Sequence, residues 1–300
     1  MNCRKCYLSV DGTDIEIPYI DIGKQEEKIS AVITAGIHSA EYVGIQAAIE
    51  LADELGIEGV NGRVIIIPLC NRSGFEHRTM SMVYEDGLNL NRVFPGTHEG
   101  TTSERIAFSL FTKIITKAGL LIDLHSGDGY EDLYPYVYYL GGAKAEAASK
   151  KMVECVNVTY YVRSNSFSGG AYNQASIYGI PSVLIERGGQ SLYTREQIEA
   201  DKKDVKNILK RFGILSGSFE VFSKKEVTEL DDDSPCTGCW YPKKKPGDIF
   251  EEGEVLGEIR DYFGSVIYRH IAGTRGVILH QVAGLNIIKG DPMIAYGIWE

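Results

Sequence analysis

Short runs of apolar residues alternate along the first two thirds of this chain with longer stretches that are apolar on one face only. The continuous runs, which are typical of buried strands, are residues 30–37, 63–69, 119–127 and 180–189. The one-sided stretches predict helices over residues 42–55, 103–118, 143–156, 171–178 and 194–212. This alternation favours an α/β fold whose sheet is largely parallel.

Three other segments lack this pattern. Residues 7–19 alternate loosely around Asp11-Gly12, which predicts a β-hairpin. Residues 73–96 are polar without a clear period and predict a long loop, and loops of that length are usually functional. Residues 132–140 are rich in tyrosine and predict an extended segment.

The pattern of apolar and polar residues changes after residue 217. Residues 220–233 are acidic and predict either a linker or an exposed strand, and the segments beyond residue 235 predict short strands without helices. Residues 247–259 resemble half of a biotinyl or lipoyl repeat but lack the carrier lysine, so we expect no carrier function. We predict an α/β domain over residues 1–216 and a smaller, barrel-sandwich-like β-domain over residues 217–300.

A chemically capable residue ends each of the four apolar strands: His38, Asn71, His125 and Glu186. Ligands of open α/β sheets bind outside the carboxyl ends of the strands, although any one of these residues could be a structural polar group. Glu41 follows His38 by three residues at the start of a helix, so both side chains lie on one side of a turn. Two histidines and one glutamate form an open zinc site, which polarises a carbonyl and activates water.

Glu186 suits the role of the base that takes a proton from water and delivers it to a leaving amine. The alternative is a salt bridge with Arg187 or another arginine. Asp123 lies two residues before His125, on the same face of the strand. It either orients that histidine or forms a hydrogen bond at the strand end, and both interpretations stay open.

Four motifs occur in order: Gly36-Ile-His38-Ser-Ala-Glu41, Asn89-Leu-Asn91-Arg92-Val-Phe-Pro-Gly96, Asp123-Leu-His125-Ser-Gly127 and Ile185-Glu186-Arg-Gly-Gly-Gln190. Together they resemble the succinylglutamate desuccinylase/aspartoacylase family, a branch of the zinc-carboxypeptidase-like, M14-related hydrolases. The resemblance covers nearly the whole chain. It implies a mostly parallel or mixed sheet flanked by helices, followed by a C-terminal all-β domain.

The resemblance also implies roles for individual residues. His38, Glu41 and His125 would bind one zinc ion per chain, and Glu186 would be the general acid and base.

Three further residues match positions that contact the substrate in this family. Asn91 and Arg92 would hold the free carboxylate of the substrate, a task that suits the bidentate fork of arginine. Arg78 would polarise the scissile carbonyl, or it is a surface arginine.

The chain departs from the family pattern at several positions. Ser39-Ala40 stands where the family has Gly-Asp, and Asn89 replaces an aspartate, so the surroundings of the metal and of Arg92 differ. Arg187, directly after Glu186, could meet an acid group of the substrate or pair with carboxylates of the protein. These departures leave the exact substrate open.

Two pairs of cysteines have the spacing of half-sites for a structural zinc ion. They are Cys3 with Cys6 and Cys236 with Cys239, and four thiolates together could bind a second zinc. The alternative is two unrelated pairs.

The formal net charge of −10 makes nucleic acid and anionic membranes unsuitable partners. We find no signal peptide and no apolar run that could span a bilayer, so we expect a cytoplasmic protein with reduced cysteines. The sequence does not decide whether the protein forms a homo-oligomer.

These observations predict a zinc-dependent amidohydrolase that removes the acyl group from a small N-acylated amino acid or related compound, a deacylase of the desuccinylase type. One alternative is a zinc carboxypeptidase that acts on the C-termini of peptides. The other is a non-catalytic binding protein with the same fold. The sequence does not identify the acyl group or the amine, and it does not prove that the metal is zinc rather than another divalent ion.

Overall fold

The structure, a computed structural model, describes residues 3–24 and 27–299. Seventeen strands lie within these ranges: β1 (Cys3–Ser9), β2 (Glu16–Gly23), β3 (Ile29–Ala35), β4 (Arg63–Ile67), β5 (Leu121–His125), β6 (Glu131–Leu133), β7 (Tyr136–Leu140), β8 (Tyr160–Ser164), β9 (Ser182–Glu186), β10 (Lys225–Asp233), β11 (Gly238–Pro242), β12 (Ile249–Phe250), β13 (Val255–Arg260), β14 (Val266–Ile271), β15 (Gly276–Val282), β16 (Asn286–Ile287) and β17 (Pro292–Ile298). The α-helices of the same ranges are α1 (Tyr42–Glu58), α2 (Arg72–His77), α3 (Thr102–Lys113), α4 (Glu146–Glu154), α5 (Ala171–Ile177) and α6 (Arg195–Arg211).

A mixed sheet of thirteen strands runs through the molecule in the order β1-β2-β4-β3-β5-β9-β7-β8-β10-β17-β15-β12, with β6 paired to β15. The four apolar strands β4, β3, β5 and β9 are parallel neighbours at its centre. Their continuous apolar sequences follow from burial on both faces. Because these strands are parallel, their carboxyl ends meet at one edge of the sheet, as the sequence predicts.

Helices cover both faces of this sheet. The core on one face contains apolar residues of α1, α4 and α6, and the core on the other contains residues of α3 and α5. Thr101 and Thr194 close capping boxes at the starts of α3 and α6, which fixes where these helices begin. All five predicted helices are present, but the one predicted over 103–118 ends at Lys113 and is followed by the 3₁₀ helix Ile115–Lys117.

The segment predicted as a loop over residues 73–96 contains local structure, so that prediction was wrong in part. It holds most of α2 and the 3₁₀ helix Leu90–Arg92. Both begin at an asparagine whose side chain accepts a backbone hydrogen bond: Asn71 from Gly74 N and Asn89 from Asn91 N. Such short capped turns need no apolar period, which is why the hydrophobic pattern missed them. The same pattern also missed β8.

The predicted hairpin is confirmed, since β1 and β2 pair antiparallel from Cys3 opposite Ile22 to Ser9 opposite Glu16. Within residues 220–233, the exposed-strand alternative is confirmed as β10, which pairs with β8 and β17 and carries the large sheet into the C-terminal part.

The C-terminal part from residue 235 to residue 299 consists of strands and turns, without a helix, as predicted. Strands β14, β13, β11 and β16 form a separate antiparallel sheet, and Trp240 and Phe250 lie in the core beneath it. The predicted fold class, a mixed sheet flanked by helices with an additional C-terminal β unit, is confirmed. The division at residue 216 stays a prediction, and the large sheet is continuous across it. The helices of the described ranges are all too short or too polar to cross a bilayer.

Candidate active site

Three of the four predicted strand-end residues come together at the carboxyl edge of the central strands. His38 follows β3, while His125 and Glu186 are the last residues of β5 and β9 and lie directly opposite each other. Gly36 has a φ of 63° and turns the chain after β3, which brings His38 over the sheet edge. Glu41 stands at the start of α1, one helical turn from His38.

His38, Glu41 and His125 form a compact group of ligand atoms that all lie within 4.8 Å of one another. The Nδ1 atom of His38 lies 2.7 Å from Oε1 of Glu41, and Nδ1 of His125 lies 3.0 Å from Oε2. The two imidazoles meet edge to face, with ring centroids 5.1 Å apart and an interplanar angle of 78°. The carboxylate thus lies between two imidazole nitrogens.

The chemistry of this group fits a divalent cation. Glu41 is only 3% exposed, and within the described chain the 3.0 Å contact of its Oε2 atom with Nδ1 of His125 is an ion pair without hydrogen-bond geometry. Burial raises the pKa of Glu41, but the two imidazoles outweigh burial and lower that pKa to about 2. Burial likewise lowers the pKa of His125, but Glu41 and Asp123 raise it well above the usual range. A buried anion between two nitrogen donors matches the His₂Glu ligand set of open zinc sites.

Each candidate ligand histidine has an oxygen beside its other ring nitrogen. With a proton on Nε2, His38 donates to Oδ1 of Asn89 over 3.0 Å. Nε2 of His125 lies 3.3 Å from Oδ2 of Asp123, whose other oxygen accepts from Oγ1 of Thr34 over 2.7 Å. Both arrangements leave Nδ1 free to bind a metal. This geometry favours the interpretation that Asp123 orients His125.

Glu186 lies half-buried beside this group, and its Oε2 atom has no hydrogen-bond partner among the described residues. Burial raises the pKa of Glu186 well above its usual range; the charge of His125 opposes this effect, and nearby carboxylates reinforce it. An unpaired carboxyl of raised pKa next to candidate metal ligands is the arrangement expected of a general acid or base.

The alternative of a salt bridge between Glu186 and Arg187 was wrong. The Arg187 side chain turns away from the sheet edge towards α6, where Nε donates to Asp201 over 2.7 Å and Nη2 to Asp204 over 2.5 Å. All three residues are buried. Of the two roles left open for Arg187, the structure shows pairing with the protein's own carboxylates.

The residues predicted to contact substrate differ in exposure. Arg78 and Arg92 are exposed, and neither forms an ion pair within residues 3–24 and 27–299. Arg78 ends α2 in the left-handed conformation, with a φ of 56°. Asn91 is buried, and its Oδ1 atom accepts from Ala171 N over 3.0 Å at the start of α5. Its Nδ2 atom makes no hydrogen bond to the described chain, so it can still donate to a ligand.

The departures from the family pattern have structural consequences. The backbone N and the Oγ atom of Ser39 both donate to the carbonyl of Met80, which ties the His38 turn to the 79–82 segment. Asn89 accepts simultaneously from His38 and from Asn91 N, so one side chain supports both the ligand and the Arg92 turn. Asn71, the fourth strand-end residue, only caps α2 and donates to Met82 O.

The structure does not bring the two cysteine pairs together, which corrects the prediction of a shared zinc site. Cys3 and Cys6 lie on β1 at the outer edge of the large sheet, whereas Cys236 and Cys239 lie at β11, just beyond β10. Eight strand spacings separate β1 from β10, and each is about 4.8 Å wide. No group of metal-ligating atoms found within the described ranges contains a cysteine.

Sequence reasoning missed four ionisable residues near the site: Glu131, Glu229, Asp231 and His280. Burial, Asp128 and Glu41 raise the pKa of Glu131 to about 7. Ligand atoms of Glu229, Asp231 and His280 lie within 4.8 Å of one another. The alternation of Glu229 and Asp231 was visible in the acidic run, but their proximity to His280 depends on pairing between distant strands.

Three known proteins are similar to this chain over most of its length. The N-alpha-acetyl-L-2,4-diaminobutyric acid deacetylase of Halomonas elongata is 28% identical over 288 residues, which cover 91% of this chain and 83% of that protein. The product-bound structure of the ectoine utilization protein EutE (DoeB) from Ruegeria pomeroyi has a TM-score of 0.87 at 27% identity and covers 98% of this chain and 94% of that chain. A succinylglutamate desuccinylase from Silicibacter sp. TM1040 has a TM-score of 0.84 at 26% identity, covering 99% and 93%.

The match to a family model agrees with the resemblance seen in the motifs. The model of the succinylglutamate desuccinylase/aspartoacylase catalytic domain matches residues 27–212, which include every strand and helix that carries His38, Glu41, His125 and Glu186. The chain therefore belongs to the succinylglutamate desuccinylase/aspartoacylase family.

Proposed function

We propose that this protein is a zinc-dependent hydrolase that cleaves the amide bond of a small N-acylated amino acid. In this reaction, water adds to the acyl carbon, the carbon–nitrogen bond breaks, and the products are a carboxylic acid and a free amine. The family and the deacetylase of Halomonas elongata support this reaction class.

The observation that carries the proposal is the buried group of His38, Glu41 and His125 beside the unpaired Glu186. The ionised carboxylate of Glu41 lies between the Nδ1 atoms of the two histidines, and Asn89 and Asp123 flank their far nitrogens. This donor set suits zinc.

A zinc ion held by these residues would polarise the scissile carbonyl and lower the pKa of water. Glu186 would accept the proton of the attacking water and pass it to the leaving nitrogen. Its position supports this role, because it lies opposite His125 at the end of β9 and because Arg187 faces away from it.

The substrate would be held by groups at the rim of the site. Arg92 and Nδ2 of Asn91 would bind its carboxylate, and Arg78 would donate to the acyl oxygen. This assignment is supported by the exposure of the two arginines and by their lack of ion pairs within the described ranges.

The C-terminal strands support a small substrate. The hydroxyl of Tyr138 on β7 donates to Glu229 on β10, so the C-terminal part approaches the catalytic strands closely. A wall at this position limits the length of the substrate that the cleft can accept. We also propose a cytoplasmic location, which the six free cysteines support.

The test is zinc content per chain together with hydrolysis of N-acetylated amino acids. We expect one zinc in the wild type and none in His38→Ala. Glu186→Gln should retain zinc but lose about 10²- to 10⁴-fold in kcat, since it lacks the proton carrier. A chelator should abolish hydrolysis, and added zinc should restore it.

His98→Ala is the matched control, because His98 is exposed and contacts Glu99 and the ring of Phe108 rather than the candidate metal ligands. It should keep both zinc and activity. Zinc that persists undiminished in His38→Ala, or full activity in Glu186→Gln, would contradict the proposal.

A further inference from the structure

A group of three acceptor side chains lies on the C-terminal strands that face the catalytic site. Glu229 and Asp231 are two residues apart on β10 and therefore share one face of the strand, and His280 lies on β15. One ligand atom from each lies within 4.8 Å of the other two. We call these three residues the acidic group.

Two tyrosines lie between the acidic group and the strand that carries Glu186. Tyr138 donates to Glu229, and the hydroxyls of Tyr138 and Tyr136 lie 3.1 Å apart. Tyr136 is paired with Glu186 across β7 and β9. The negative charge of Glu229 also contributes to the raised pKa of Glu186, so the two carboxyls lie in one electrostatic region.

The carboxylates of the acidic group form no ion pair with a basic residue of the described ranges. Within residues 3–24 and 27–299, no lysine or arginine forms an ion pair with Glu229 or Asp231. Burial and the charge of Asp231 raise the pKa of Glu229 to about 8, although Tyr138 opposes this rise. Burial lowers the pKa of His280 to about 4, which leaves a neutral imidazole with a free lone pair at neutral pH. Glu229 is half-buried, and a half-buried carboxylate without a cation is costly, so the group favours a positively charged ligand.

Charges of opposite sign lie side by side at this rim. Arg92, the residue that would bind the substrate carboxylate, is close enough to Asp231 to oppose the rise in its pKa, but the two form no ion pair. A ligand that carries a carboxylate and an ammonium group could therefore meet both partners at once.

We propose that Glu229, Asp231 and His280 bind a free ammonium group on the substrate side chain and so select N-acylated diamino acids. An alkylammonium group has three N–H donors, which match the three acceptors. This inference rests on the proposed function and specifies its substrate class. The Halomonas elongata relative acts on N-alpha-acetyl-L-2,4-diaminobutyric acid, which has such an amine.

The test compares two substrates of equal size, Nα-acetyl-2,4-diaminobutyrate and N-acetylnorvaline, in which a methyl group replaces the ammonium. We expect wild-type kcat/KM to favour the amine by roughly 10- to 100-fold, the usual effect of a hydrogen-bonded buried charge. Glu229→Gln removes the charge but keeps an acceptor for Tyr138, and Asp231→Asn removes the second charge at an exposed position. In each variant the ratio of the two kcat/KM values should fall about tenfold.

Glu252→Gln is the matched control. It removes one carboxylate from an exposed turn of the same C-terminal part, and the ratio should not change. Thermal unfolding checks that each variant is folded, and Asp231→Asn decides the question if Glu229→Gln does not fold.

Four results would overturn the inference. Wild-type protein that hydrolyses both substrates equally would defeat it while leaving the proposed function intact, as would an unchanged ratio in both variants. A second zinc per chain in equilibrium dialysis with zinc alone, lost in Asp231→Asn, would assign the acidic group to a metal. If the zinc-loaded wild type hydrolyses neither substrate, the proposed function fails as well.

Discussion

The buried arginine behind the catalytic edge offers a sharp test of how the site is held. Arg187 follows Glu186 directly, and its guanidinium bridges two carboxylates of α6, Asp201 and Asp204. Its backbone N also donates to the carbonyl of His125 over 3.1 Å. The substitution Arg187→Met keeps most of the aliphatic volume but removes the charge.

The expected loss of stability follows from burial. Removing one partner of a buried ion pair costs about 3–5 kcal/mol, because the remaining charge stays unpaired. Unfolding entropy is about 2.1 cal/mol/K per residue, which gives about 0.63 kcal/mol/K for the 300 residues of the chain. We therefore expect the Tm of Arg187→Met to fall by about 5–8 °C near pH 7.

The loss should depend on pH in a definite direction. Burial raises the pKa of Asp201 to about 7 and that of Asp204 to about 6, although Arg187 opposes both rises. A carboxyl whose folded pKa is raised contributes stability at low pH, and this contribution is lost as the pH rises through the folded pKa. Without Arg187 both pKa values rise further, so the variant continues to lose stability above pH 7.

The assay is thermal unfolding of wild type and Arg187→Met between about pH 5.5 and pH 8.5, and the difference in Tm should widen with pH. The control substitution is Arg195→Met. The wild-type Arg195 side chain pairs with Glu50 and Glu199 but is 61% exposed. An exposed pair is worth about 0–1 kcal/mol, so this Tm should change by less than about 2 °C at any pH. A difference for Arg187→Met that is equally small, or that shrinks as the pH rises, would refute the reasoning.

Two further predictions concern the turn that carries the first histidine. Asn89→Ala removes the acceptor of His38 Nε2, so zinc affinity measured by competition with a chelator should fall roughly 10- to 100-fold, and Asn89→Asp should retain it. Equal affinity in both variants would contradict a supporting role. Gly36→Ala places a Cβ atom 3.1 Å from Ile45 at a φ of 63°, whereas the control Gly213→Ala, at a φ of 72°, meets no atom within 4 Å. Chemical denaturation should show that both lose about 1 kcal/mol or more through backbone strain, with the larger loss at Gly36; equal losses would show that packing there is not limiting.

Much of the fold was accessible from the sequence because hydrophobic periodicity reports local burial. The buried strands, the five longer helices and the hairpin were predicted at nearly their observed positions. The short turns within residues 73–96 were not, since side-chain caps at Asn71 and Asn89 stabilise them without an apolar period. The cysteine spacing was misleading, because β1 and β11 lie in distant parts of the structure.

Part of the site geometry also follows from local sequence and from the pairing of parallel strands. The turn after β3 and the helix start fix His38 and Glu41 relative to each other, and the parallel pairing of β5 and β9 places His125 opposite Glu186. These are consequences of short-range sequence and of the common edge of parallel strands.

The sequence by itself determined which residues stand at the strand ends and which family pattern they form. Only the tertiary structure decided that Arg187 pairs with α6, that Asn89 supports His38, and that β10 and β15 bring Glu229, Asp231 and His280 together. The physical reason is that side-chain pairing depends on which distant elements pack together. Periodicity along the chain records the burial of a residue but not the identity of its neighbours.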